Sequence, residues 1–214
     1  MKVLLIGATG ATGSELLEDL LADESITEVI TFVRRLTNRK LKKLTEVLVD
    51  FERLFDYQEL MQGDVAISCL GTTLKQAGSK EQQWIVDHDY QLEFAQLTKK
   101  NNVPHFILLS AIGASPESKI FYNRMKGTLE VAVRNLSFSR LDLFQPSILI
   151  RPNSNRVGEK MGEKIFQILN ALGLFQTYRP ISVQDLAAAM KANIFDSEPG
   201  VFQHNVQRIL KKSQ

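Results

Sequence analysis

Over the first 150 residues, short apolar runs alternate with longer stretches in which apolar side chains recur every three or four positions. The runs predict strands at Val3–Ile6, Val29–Val33, Val47–Val49, Val65–Cys69, Phe106–Ser110 and Leu141–Phe144. The periodic stretches predict helices over about Thr12–Leu21, Lys80–Asn101 and Ile120–Asn135. In the middle helix Trp84, Ile85, His88, Leu92, Ala95 and Leu97 make the face expected to pack on a sheet. Asn101-Asn102-Val103-Pro104 ends that helix, because the residue before a proline is pushed out of helical geometry. Alternation of this kind predicts an α/β fold, a doubly wound parallel sheet with helices on both faces. Beyond Pro146 the alternation stops: one amphipathic helix is expected around Glu163–Leu172, another around Val183–Ile194, and a closing strand and helix over His204–Lys212. No repeat, low-complexity tract or Pro/Gly/Ser linker divides the chain. Residues 1–214 therefore read as a single domain in which 147–214 contribute a small lobe on the substrate side.

With 44% hydrophobic and 23% charged residues, the chain has the composition of an ordinary globular domain. That excludes a disordered tail, a collagen-like repeat and a disulfide scaffold. Lysine and arginine exceed aspartate and glutamate by only 26 − 24 = 2, so net charge does not point to nucleic acid, and the basic run Arg34–Lys43 is a local feature. Cys69 is alone and cannot pair within the chain, and no cysteine or histidine spacing matches a structural zinc site, so no metal is expected. A single thiol fits a reducing, cytoplasmic setting. The N-terminal run Val3–Ile6 is too short for a signal-peptide core or a membrane span, and no membrane association is expected.

Candidate chemistry begins directly after the first strand, at Gly7-Ala8-Thr9-Gly10-Ala11-Thr12-Gly13. In a GxxGxxG loop between strand and helix, Gly7 permits a tight exit, Gly10 lets the backbone approach a pyrophosphate, and Gly13 lets the helix pack on the strand. The helix N-terminus adds unpaired N–H groups for the anion. Arg34 follows the second strand. An acidic residue near that place would hydrogen-bond the adenosine ribose of NAD, whereas arginine suits the 2′-phosphate of NADP. Arg35 shares that option to a lesser degree; alternatively both open a solvated basic run. Asp50-Phe51 follow the third strand, where a carboxylate and a backbone N–H could hold the edge of adenine, or where Asp50 could cap a short helix. Leu70, Gly71 and Thr72 follow the fourth strand, at the lip where open sheets bind ligands.

Tyr122 and Lys126 stand four residues apart near the start of a predicted helix and share its face. Ser110 ends the preceding strand. In that geometry the Lys126 ammonium is expected to favour the Tyr122 phenolate, lowering a pKa that starts near 10, and to reach a cofactor ribose hydroxyl. Tyr122 could then exchange a proton with a carbonyl or alcohol oxygen that Ser110 also holds. His88 and His105 have no third partner at triad or ligand spacing and read as structural, and Cys69 reads as a buried inert thiol.

These residues resemble the short-chain dehydrogenase/reductase superfamily in its extended or atypical branch. Cys69-Leu70-Gly71-Thr72-Thr73, Val86-Asp87-His88-Asp89-Tyr90, His105 through Ser110, and Tyr122 through Lys126-Gly127 more narrowly resemble the Tat-interacting-protein oxidoreductase family. The resemblance implies a Rossmann fold, bound NADP(H) and an oxidoreductase activity. It implies cofactor contacts from Gly7, Thr9, Gly10, Ala11, Thr12, Gly13, Arg34, Leu70, Gly71, Tyr122 and Lys126. Pro146-Ser147-Ile148 resembles the segment that packs beside nicotinamide. One departure stands out: Asp87 or His88 takes the place of the superfamily's proton-relay asparagine. Ser110 and Ser115 are both available as the oxygen-binding serine, with Ser110 favoured because it directly follows the strand. The expectation is an NADP(H)-dependent oxidoreductase for a small carbonyl or alcohol, the alternative an NADP(H)-sensing regulator of the same fold. A homodimer mate or another protein could complete the pocket.

Overall fold

Residues 1–150 and 178–213 are described by a computed structural model. All the expected strands form, with bounds moved by at most a few residues: β1 Lys2–Ile6, β2 Glu28–Val33, β3 Leu44–Leu48, β4 Val65–Ser68, β5 His105–Leu109 and β6 Arg140–Phe144. A short pair follows, β7 Leu149–Ile150 with β8 Ile181–Ser182, and the last strand is β9 Gly200–His204. Seven of these make one parallel sheet in the order β3-β2-β1-β4-β5-β6-β9. The chain runs outward from β1 in both directions, so the order reverses between β1 and β4 and leaves a crevice at their C-terminal ends.

Alternation within β1 shows why the sheet is covered twice. Val3 and Leu5 join one apolar cluster and Leu4 and Ile6 the other, all fully buried. The first face is covered by helix α1 (Ala11–Ala22) through Leu16, Leu17 and Leu20, and by α6 (Val183–Asn193) and α7 (Val206–Lys212) through Leu186, Met190 and Ile209. The second is covered by a 3-10 helix at Phe51–Leu60 and by α4 (Tyr90–Lys100) and α5 (Phe121–Asn135), through Leu54, Phe94, Leu129 and Val133. Each such leucine contributes roughly 1.5–3 kcal/mol by leaving water.

Two outcomes depart from the sequence pattern. The described part of the expected lobe is built into the domain, since β9 extends the sheet beyond β6 and α6 packs beside α1. The helix expected around Glu163–Leu172 lies outside the described residues. The long helix expected over Lys80–Asn101 is instead α3 (Lys80–Trp84), a π turn at Ile85–Asp89, and α4. A shorter helix, α2 (Leu74–Ala77), precedes it.

Candidate active site

The C-terminal ends of β1, β4, β5 and β6 open on a cleft of about 940 Å³. Thr9, Gly10, Ala11 and Thr12 line it from the glycine loop, and Cys69 through Thr73 from the segment after β4. Ser110, Tyr122, Lys126 and the stretch Pro146–Leu149 complete it.

The three loop glycines serve different ends. Gly7 has φ +80°, and a Cβ there would lie 2.4 Å from the Cys69 carbonyl carbon; a Cβ on Gly13 would lie 2.2 Å from the Gly7 oxygen. Both are glycine because the chain passes too close to itself for anything else. A Cβ on Gly10 would meet protein no nearer than 3.2 Å. Gly10 also N-caps α1 with no side-chain hydrogen bond, leaving the first-turn N–H groups without a side-chain acceptor in the cleft wall. That combination fits a phosphate group.

The π turn supplies the polar side of the site. Gln83, Asp87 and Gln91 are buried, whereas Trp84, Ile85 and Leu92, expected on the buried face, are only half-buried. A π turn is wider than an α turn and so rotates the faces of the helix before and after it relative to each other. The Gln91 side-chain amide donates to the Asp87 carbonyl at 2.7 Å and accepts from Ser68 Oγ at 2.8 Å, fastening the widened turn to β4. The Asp87 carboxylate accepts the Thr72 N–H at 3.0 and 3.2 Å. A Cβ on Gly71 would stand 3.0 Å from Asp87 Oδ1. Of the two candidates Asp87 and His88, Asp87 lines the cleft; His88 stacks on Trp84 and pairs with Asp89 at 2.8 Å.

Lys126 is 2% exposed, donates to the Leu109 carbonyl at 3.3 Å and stands 4.0 Å from Asp87 Oδ1. Burial lowers its pKa against the opposing pull of Asp87 and Glu130, and burial raises that of Asp87 against the pull of Lys126. Tyr122 does not behave as the four-residue spacing predicts. It is 38% exposed at the cleft, yet burial of the remainder and the Asp87 charge push its phenol up to about 12. The expected lowering by Lys126 is absent: burial, the larger cause, and the Asp87 charge both act upward. Ser110 Oγ is buried and has no hydrogen-bond partner among the described residues, while Ser115 lies outside the cleft lining and accepts the Glu117 N–H. Cys69, also in the lining, is held as a thiol, its pKa pushed up to about 12 by burial.

Six expected residues are not in the cleft lining: Gly7 and Gly13, which the close passage of the chain requires, and Arg34, Arg35, Asp50 and Phe51. Arg34 and Arg35 are exposed just beyond β2, and among the described residues no hydrogen bond or ion pair engages either. Asp50 accepts the Glu52 N–H at 3.0 Å as the cap of the 3-10 helix, and Phe51 is buried against Tyr90. Pro146 and Ile148 do lie in the wall, where Ile112, Ile120, Phe121 and Asn123 also take part. None of those last four was singled out from the sequence; their only signal was adjacency to Ser110 and Tyr122. His105 is structural, its Nε2 at 2.7 Å from Asp142.

A parallel sheet of this order, with an uncapped glycine turn leaving its first strand, defines a Rossmann-type dinucleotide-binding protein. Residues 7–136 match the family described as NAD(P)H-binding, and the chain belongs to that family. Protein HTATIP2 of Rattus norvegicus is 37% identical over 170 residues, covering 77% of this chain and 70% of that protein. The mitochondrial protein fmp52 of Emericella nidulans is 33% identical over 155 residues, covering 69% of this chain and 66% of that one. The chain thus spans about two thirds of these curated relatives. Among solved structures, the oxidoreductase ylbE of Lactococcus lactis superposes with a TM-score of 0.71 at 19% identity, covering 99% of this chain and 95% of the other. UDP-glucose 4-epimerase of Thermotoga maritima gives 0.70 at 15%, covering 99% and 81%. At such identities the fold is what is shared. No helix among the described residues is long and apolar enough to cross a membrane.

Proposed function

We propose that this protein is an NADP(H)-dependent oxidoreductase of the short-chain dehydrogenase/reductase type, interconverting a small carbonyl compound and its alcohol. The observation that carries the reading is Ser110 Oγ, a buried hydroxyl without a partner among the described residues, in the same cleft as Tyr122 and Lys126. A buried hydroxyl left unpaired is costly unless a ligand completes it, and a substrate oxygen would do so. The dinucleotide, when bound, supplies or accepts a hydride.

The chain's own residues do the rest. The open first turn of α1, with Gly10, takes the pyrophosphate, and Arg34, with Arg35 beside it, takes the 2′-phosphate. Asp50 and the Phe51 N–H sit beyond β3 on the adenine side, while Leu70, Gly71, Pro146 and Ile148 bound the nicotinamide end. Lys126, with one hydrogen bond made, has donors left for ribose hydroxyls. Ser110 donates to the substrate oxygen and Tyr122 Oη exchanges the proton. The cleft must hold part of a dinucleotide as well, which leaves room for a small substrate. We place the protein in a reducing, cytoplasmic setting, supported by its lone buried thiol.

Tyr122→Phe tests the assignment. Across a panel of aldehydes, ketones and quinones, turnover is expected to fall by about 10²- to 10⁴-fold with NADPH affinity kept. A variant as active as the parent would remove Tyr122 from the chemistry.

A further inference from the structure

We propose that Asp87 is a positioning residue whose carboxylate neutralises the buried Lys126 ammonium and so keeps Tyr122 as a protonated acid, suiting the site to carbonyl reduction at any physiological pH. The inference rests on the oxidoreductase reading above and adds a pH behaviour to it. Its geometry is specific. Asp87 is 1% exposed, stands 4.0 Å from Lys126 Nζ, accepts the Thr72 N–H with both oxygens, and is held inward by the π turn that Gln91 fastens to β4.

The groups facing this pair leave its charges to cancel each other. On α5, Glu130 is engaged by Arg134 at 3.2 Å and by the Gln145 amide at 2.8 Å. From the segment after β4, Cys69 presents a neutral thiol. From the π turn, His88 and Asp89 pair with one another. From α3, Gln83 hydrogen-bonds the Asp87 side chain, and Lys80 lies over the Phe121 ring at 5.6 Å. An unneutralised ammonium beside a tyrosine favours the phenolate; an ammonium matched by a carboxylate does not. The Tyr122 phenol is pushed up chiefly by burial, and the Asp87 charge acts in the same direction.

In the reduction, the Tyr122 O–H bond breaks and its proton goes to the carbonyl oxygen, while a hydride from a reduced dihydronicotinamide adds to the carbonyl carbon. The carbonyl gains two electrons and the dihydronicotinamide loses two. The phenolate then recovers a proton from water. With the phenol protonated throughout, kcat/KM for reduction stays level from pH 6 to 10, and kcat/KM for alcohol oxidation climbs about tenfold per pH unit.

The direct test is NMR titration of cofactor-free protein carrying ¹³C at the tyrosine Cζ, with Tyr122→Phe assigning the resonance. In the parent protein the Tyr122 signal is expected to hold its phenol position through pH 10. In Asp87→Asn the transition moves down by about one pH unit or more, and Asp87→Glu restores the parent curve. Half-ionisation of Tyr122 below pH 10 in the parent would overturn the proposal, as would an Asp87→Asn curve that does not move. Should Asp87→Asn fail to fold, the parent curve alone decides. Because the titration needs neither substrate nor cofactor, it fails separately from the oxidoreductase reading, which fails when NADPH does not bind.

Discussion

Asp142, fully buried in the middle of β6, accepts hydrogen bonds from His105 at 2.7 Å, from His204 at 2.6 Å and from Arg140 at 2.6 and 2.9 Å. Burial alone would raise its pKa, but those partners hold it well below the usual carboxylate range. A carboxylate whose pKa is lowered in the folded state stabilises the fold above its unfolded pKa of about 4, and that contribution drains away as the pH falls further. Asp142→Asn is therefore expected to cost about 3–5 kcal/mol at pH 7 in urea unfolding, with the gap to the parent narrowing at pH 3. A gap of equal size at both pH values would count against it. None of this was legible beforehand. His105 read as structural for want of partners, and its true partner is 37 residues away in sequence, on the neighbouring strand. Tyr122 teaches the same lesson from the other side. Spacing brought it to Lys126, but only the fold shows that Asp87 faces the same ammonium.

Elements were legible where burial was two-sided. The central strands β1, β4 and β5 are covered on both faces and therefore show near-continuous apolar runs, and β6, buried throughout, keeps its apolar residues on either side of Asp142. The edge strand β3 has only half-buried and exposed positions, and only its last residues were apolar enough to be noticed. The β7–β8 pair is two residues long on each side and left no periodic trace. The π turn was invisible for a different reason: helical period continues on both sides of it, and the one-residue change of phase looks like noise. Gly127, read only as part of a motif, sets how the segment after β5 lies on α5. A Cβ at that position would come within 2.2 Å of the Ser115 backbone, which cannot yield as a side chain could. Gly127→Ala is expected to destabilise by about 1–3 kcal/mol, each kcal/mol lowering Tm by roughly 2–4 °C. An unchanged melting curve would show that the contact is not made.

At the scale of the molecule, the sheet order brings together side chains that lie far apart in sequence. The reversal between β1 and β4 places Gly10, Gly71, Ser110, Tyr122 and Lys126 on one cleft, although Gly10 and Lys126 are separated by most of the nucleotide-binding half of the chain. That convergence was foreseeable because a parallel sheet puts every strand's C-terminal end on the same side. On the proposed reading Arg34, with Arg35 beside it, sets the preference for NADP over NAD, from a position beyond β2 and outside the cleft lining. Calorimetric titration of the parent protein and of Arg34→Glu with NADPH and NADH in parallel probes that choice and the dinucleotide site together. The parent is expected to bind NADPH about 10- to 100-fold more tightly than NADH, as one charge-assisted phosphate contact allows, and Arg34→Glu is expected to erase the difference. Equal affinities in the parent, tighter NADH, or no binding of either by the folded protein would contradict an NADP(H)-dependent site.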